Sequence, residues 1–118
     1  MLNTLLIIED DPAILGLLGD FSTQLGYQAV LKPEIVSIRE VQDIQPGLIL
    51  LDHRVAHQLG GDFIYHLKHT PQTREIPVIL MSAAVDVVDI ALANGADGSV
   101  SKPFSLKEIQ EIFEKYLG

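Results

Sequence analysis

The chain has 118 residues, one common domain's length, and 47% of them are hydrophobic, which supports a compact core and excludes wholesale disorder. It has no cysteine, which excludes disulfides, thiolate zinc sites and cysteine nucleophiles and fits a reducing compartment. Its formal net charge of −8 repels phosphate backbones and anionic headgroups, so neither nucleic acid nor a membrane surface is expected as a partner.

The opening stretch "MLNTLLIIEDDP" has no basic flank and meets acids after a short apolar run, so it reads as neither signal peptide nor anchor. No apolar stretch approaches the roughly 18 residues that span a bilayer, and a cytoplasmic location is expected. Residues 5–8 are the first of five short apolar runs. Asp11-Pro12 then starts a helix, because Asp caps and Pro suits the first turn. Ile14, Leu17, Leu18, Phe21 and Leu25 are expected on one face of it, with Gly26 as its stop. Gly16 and Gly19 each weaken this helix by roughly 1 kcal/mol relative to Ala. A weak run at 29–31 follows. Residues 33–44 carry Ile35, Ile38 and Val41 at helical spacing, and Pro46-Gly47 breaks them. The third run, 48–51, ends at Asp52. Gly60 and Gly61 are read as the turn into a third helix marked by Phe63, Ile64 and Leu67 and ended before Pro71. Run 78–81 comes next. Residues 86–94 are ambiguous: Val85, Val87 and Val88 favour a strand, whereas Asn94-Gly95 is a helix stop. After a weak run at 99–101 comes the clearest helix. Ser105 and Glu108 form a capping box, and Leu106, Ile109, Ile112, Phe113 and Tyr116 make an apolar stripe.

Runs this short and apolar on both faces suit central parallel strands covered by helices. Five βα units in one chain predict a doubly wound α/β domain over residues 1–118. Sites in such folds lie beyond the carboxyl ends of the strands. There the sequence places Glu9, Asp10 and Asp11, then Asp52, Ser82 and Lys102-Pro103. Singly, each has a plain reading: Asp11 as a cap, Asp52 as a strand stop, Ser82 as nothing in particular, Lys102 as a surface charge. Together they are a constellation. Carboxylates converging on one crevice repel each other unless a cation sits among them. Oxygen ligands of this kind suit Mg²⁺. A hydroxyl and an ammonium nearby would meet the oxygens of a phosphoryl group.

The motifs "LLIIEDDP", "PGLILLD", "IPVILMSA" and "NGADGSVSKPF", with the closing helix, resemble the receiver domain of two-component response regulators along essentially the whole chain. The resemblance implies the flavodoxin-like (βα)5 fold with strand order 2-1-3-4-5. It implies that Asp52 accepts a phosphoryl group from a histidine kinase or phosphotransfer protein. It implies Asp10 and Asp52 as direct Mg²⁺ ligands, Glu9 acting through water, and the Arg54 backbone carbonyl completing the metal shell. Ser82 would bond the phosphoryl oxygen and move on activation, Ala83 would leave room for the phosphate, and Lys102 would contact it. The peptide before Pro103 is usually cis in the family. A phosphorelay switch of this kind signals to a downstream protein through a changed surface and is not an enzyme in the ordinary sense.

Four departures stand out. Ser99 occupies the position of an aromatic residue that swings inward on activation. Ser82 and Lys102 lie closer in sequence than is usual. Ala56 stands where a proline is common after the phosphoacceptor. Arg54 and Ala84 fill positions that affect how long the phosphate lasts, and the Arg54 guanidinium is expected to pair with Glu9 or Asp10, or with the phosphoryl group. The competing readings are a haloacid-dehalogenase-like phosphatase, a flavodoxin-like cofactor binder, and a receiver acting by contact alone. The first would place its nucleophile after the first strand, and the second would need a Ser, Thr and Gly loop there. The last stays open because of Ser99. The chain reads either as a single-domain switch or shuttle or as the receiver part of a larger regulator.

Overall fold

The apolar runs form strands because each alternates its side chains between two helical layers. In the computed structural model, which describes residues 4–55 and 58–118, Leu5, Ile7, Leu48, Leu50, Ile79 and Met81 point to one face of the sheet. Leu6, Ile8, Ile49, Leu51, Val78 and Leu80 point to the other. Nearly all are fully buried. Removing each such side chain from water contributes about 1.5–3 kcal/mol, so both layers hold firmly to the sheet.

The elements in order are β1 (Thr4–Ile8), α1 (Pro12–Gln24), β2 (Gln28–Lys32), α2 (Ile38–Ile44), β3 (Leu48–Asp52), β4 (Arg54–Val55), β5 (Gln58–Leu59), α3 (Gly60–Lys68), β6 (Val78–Ser82), α4 (Val87–Asn94), β7 (Gly98–Ser101) and α5 (Leu106–Leu117). Five parallel strands run in the order β2-β1-β3-β6-β7, which is the flavodoxin-like 2-1-3-4-5 order once the small β4–β5 ribbon is set aside. Strand order reverses between β1 and β3, and a crevice opens there at their carboxyl ends. Helices α1 and α5 cover one face through Leu18, Ile109, Phe113 and Leu117. Helices α2, α3 and α4 cover the other through Val41, Phe63, Ile64, Leu67, Val87 and Ala91. Among the described residues, no helix is long and apolar enough to cross a membrane.

Local signals set most boundaries as expected. The Asp11 carboxylate accepts from the Ala13 and Ile14 amides and starts α1. Gly26 follows α1 at φ 89° and Gly95 follows α4 at φ 82°, both left-handed stops. Ser105 and Glu108 close both arms of the capping box. The ambiguous stretch 86–94 resolves as helix α4, with Val87 and Ala91 facing the core. Four expectations are corrected. Helix α2 starts at Ile38 rather than at residue 33, because the Ser37 hydroxyl accepts from the Glu40 amide and caps it there; Ile35 and Val36 pack from the preceding loop. Leu17 does not share the buried face of α1, being 48% exposed. Gly60 and Gly61 are the first turn of α3 rather than a turn before it. The segment after Asp52 also pairs as a ribbon, Arg54 with Leu59 and Val55 with Gln58, where the apolar runs placed no strand. Ala56 lies outside the described residues. Gly19, which weakens α1 by propensity, lets that helix approach β2: a Cβ there would lie 2.6 Å from Leu31 Cδ1.

Candidate functional site

Register brings the strand-end residues level. Ile8 pairs with Leu51, so Glu9 stands beside Asp52. Asp52 pairs with Met81 and Ser82 with Ser101, so Ser82 and Lys102 follow at the same height. The ladder continues just past the strands. Glu9 N donates to Lys32 O, His53 N to Met81 O and Lys102 N to Ser82 O, at 3.1, 2.8 and 2.8 Å. The backbones at the crevice are thereby fixed.

Glu9 is fully buried, Asp52 is 8% exposed and Ser82 6% exposed. Asp10 is exposed at the mouth. Lys102 Nζ donates to Glu9 Oε1 at 2.6 Å and stands 3.3 Å from Asp52 Oδ1. Glu9 Oε2 accepts from the Asp11 amide at 3.1 Å. One ammonium thus faces a group of carboxylates, and Glu9, Asp10 and Asp52 each bring an oxygen within 4.8 Å of the others. Burial pushes the Glu9 carboxyl up from 4.5 to about 7. The Lys102 hydrogen bond opposes that rise, and neighbouring Asp52 adds to it. Burial also works to lower the Lys102 ammonium, but Glu9 and Asp52 outweigh it and hold it above its ordinary value.

A cavity of about 510 Å³ opens beside Asp52 and is lined by Arg54, Ser82, Ala83, Ala84 and Lys102. Ser82 Oγ accepts from the Ala84 amide at 3.0 Å. The Lys102–Pro103 peptide is cis. Ser99, at the aromatic position, is half-buried on β7. Arg54 is exposed, and the Glu9 carboxylate, one of the partners expected for it beside Asp10 and a phosphoryl group, is held by Lys102 and the Asp11 amide. The structure therefore gathers Glu9, Asp10, Asp52, Ser82, Ala83, Ala84 and Lys102, with Arg54 at the exposed rim of the cavity beside Asp52.

Two residues of the site escaped the sequence reading. Gly60 must be small, because a Cβ would lie 2.8 Å from the Asp52 carbonyl oxygen; its amide donates to His53 O at 2.6 Å. His53 lines the same cavity as Asp52, and its buried Nδ1 has no hydrogen-bond partner among the described residues. Only continued strand alternation could have flagged His53, since it places residue 53 on the face of Ile49 and Leu51.

The profile of the response regulator receiver domain matches residues 5–114. The chain is 35% identical over 112 residues to the phosphate regulon transcriptional regulatory protein PhoB of Escherichia coli, covering 92% of this chain and 49% of that protein. It is 30% identical over 112 residues to the DNA-binding response regulator MtrA of Mycolicibacterium smegmatis, covering 92% and 48%. The chain thus spans about half the length of these curated relatives. In fold it is similar to the receiver domain of a sensor histidine kinase from Pseudomonas aeruginosa, solved with magnesium coordinated in the active site cleft. That likeness has a TM-score of 0.87 at 24% identity, over 100% of this chain and 99% of the other. The chemotaxis response regulator CheY4 of Vibrio cholerae aligns with a TM-score of 0.86 at 16% identity, over 98% and 99%.

Proposed function

The chain belongs to the response regulator receiver domains, and on that footing we propose that it is a phosphoacceptor switch that takes a phosphoryl group onto Asp52. One observation carries the reading: carboxylate oxygens of Glu9, Asp10 and Asp52 lie within 4.8 Å of one another, with the Lys102 ammonium against Glu9 and Asp52. Such a set of hard oxygen donors fits a divalent cation of the Mg²⁺ kind. Asp10 and Asp52 would hold the ion with the Arg54 carbonyl, and Glu9 would act on it through water. Bound there, Mg²⁺ supplies positive charge that offsets repulsion between the Asp52 carboxylate and an incoming phosphoryl group.

The chain's own residues do the rest. An Asp52 carboxylate oxygen attacks phosphorus, the new O–P bond forms as the donor's P–N bond breaks, and the histidine nitrogen keeps the electron pair. Lys102, held protonated by its acidic neighbours, stands 3.3 Å from Asp52 and is placed to meet a phosphoryl oxygen. Ser82 offers a hydroxyl donor, and Ala83 puts only a methyl group at the cavity wall. The donor is a sensor histidine kinase or phosphotransfer protein, and the signal passes to a downstream protein through an altered surface in the cytoplasm. Arg54, exposed at the cavity rim, is placed to meet the phosphoryl group.

Intact-mass measurement after incubation with a small-molecule phosphodonor and Mg²⁺ tests the reading. Wild type should gain one phosphoryl group only when the metal is present, and Asp52→Asn should gain none. A wild type without an adduct would favour the reading in which this receiver works by contact alone, which Ser99 at the aromatic position also favours.

A further inference from the structure

At rest the crevice holds a buried ring nitrogen, His53 Nδ1, without a partner among the described residues. An imidazole nitrogen in that state forfeits hydrogen bonds it would make in water. The ring is carried on a fixed backbone, since His53 N donates to Met81 O at 2.8 Å and Gly60 N donates to His53 O at 2.6 Å. Across the same cavity stand Ser82 and Ala84. There the Ala84 amide has its acceptor in Ser82 Oγ, at 3.0 Å.

The phosphoacceptor reading asks Ser82 Oγ to turn toward a phosphoryl group on Asp52. That turn strands the Ala84 N–H in a half-buried position. The resting crevice thus has one ring nitrogen to spare, and the phosphorylated crevice has one donor to satisfy. We infer that His53 is a positioning residue of the switch, its Nδ1 taking over the Ala84 amide when Ser82 leaves it for the phosphoryl group. In the neutral tautomer with the proton on Nε2, Nδ1 is an acceptor and completes the exchange with no proton moved. The exchange links the hydroxyl to the β6–α4 loop on the side of the crevice away from Ser99. That position has no aromatic ring to follow the hydroxyl, so the link supplies a route that the β7 side lacks.

The inference rests on Asp52 being the phosphoacceptor, and the experiment separates the two. Nitrogen-15 NMR of the full chain is recorded with Mg²⁺, with and without beryllofluoride as the phosphoryl mimic. In wild type the His53 Nδ1 resonance should move to a hydrogen-bonded position when the mimic binds. His53→Leu should weaken beryllofluoride binding about tenfold and speed hydrogen exchange at Ala84 in the bound state by a similar factor. His53→Asn, whose side-chain oxygen is an acceptor, should recover most of both. Without the mimic, the Ala84 amide should be alike in all three proteins, bonded to Ser82. A wild type that binds the mimic while Nδ1 stays still overturns the inference and leaves the phosphoacceptor intact, as does a leucine variant that binds as tightly as wild type. A wild type that does not bind the mimic overturns both.

Discussion

The side chains of Lys68 and Lys102 are each 17% exposed and each is paired with acid, yet they sit at opposite ends of the sheet in opposite electrical situations. Lys68, at the amino ends of β6 and β7, donates to Asp97 Oδ2, Ile76 O and Arg74 O at 2.8, 2.8 and 3.2 Å. Its three protons meet three acceptors, two of them neutral. Asp97 Oδ2 also takes the Val78 amide at 2.8 Å, so it ties α3 to the start of both strands. Lys102, at the carboxyl ends, is one cation shared by two buried carboxylates, at 2.6 Å from Glu9 and 3.3 Å from Asp52. The first arrangement is complete without a ligand. In the second, two buried carboxylates share one ammonium, and that imbalance, not burial, distinguishes a site from a staple.

The largest expected effect that tests this contrast is on stability. Lys68→Met strands a carboxylate and two carbonyl groups and should cost about 3 kcal/mol, with or without Mg²⁺. Lys102→Met should cost about 1 kcal/mol without metal, because Glu9 can take up a proton, and Mg²⁺ should restore most of it by supplying the missing positive charge. Urea unfolding of both variants, each with and without the ion, reads the difference. Equal responses to Mg²⁺ at the two ends would erase the distinction.

The crevice was legible in sequence because each of its groups follows an apolar run, and parallel strands in register bring such positions to one edge. Glu9, Asp10, Asp52, Ser82 and Lys102 all fall where that rule puts them. The Lys68–Asp97 tie was not legible, since one partner ends a helix and the other precedes a strand, and no periodicity links them. Helix α2 was drawn too long because apolar spacing continues through Ile35, whereas the cap at Ser37 decides the start. Gly60 looked like turn chemistry but answers to the Asp52 carbonyl, a contact between distant parts of a turn and a strand. The rim position of Arg54 was legible from its place two residues after Asp52, whereas Lys102 taking the Glu9 carboxylate was not, since those two residues lie far apart in sequence.

Next in size is a pH effect confined to the crevice. The folded chain holds the Glu9 proton up to about pH 7, whereas at its ordinary value of 4.5 the unfolded chain has already released it. Protonation therefore favours the folded state in that window. Without divalent ions, stability should fall as pH rises from about 4.5 through about 7, by roughly 2–3 kcal/mol, and then level off. Glu9→Gln should flatten the slope. Unfolding midpoints across this range check it, and an unchanged slope in the variant would place the titration elsewhere.

The smallest effect separates the two ends by sign alone. Asp52→Asn removes the 3.3 Å contact with Lys102 but leaves the shorter one with Glu9, and it relieves the charge that Asp52 presses on Glu9. Without metal at neutral pH it should therefore stabilise the chain by about 1 kcal/mol. Asp97→Asn makes the same chemical change at the other end, where the carboxylate is the counter-charge of Lys68 among the described residues and holds the Val78 amide as well. It should destabilise by at least about 1 kcal/mol. Mg²⁺ should stabilise wild type and leave Asp52→Asn nearly unmoved, because the variant has lost one of the oxygens that make the cluster need a cation. If both substitutions destabilise, the crevice carries no excess of negative charge, and Lys102 is as much a staple as Lys68.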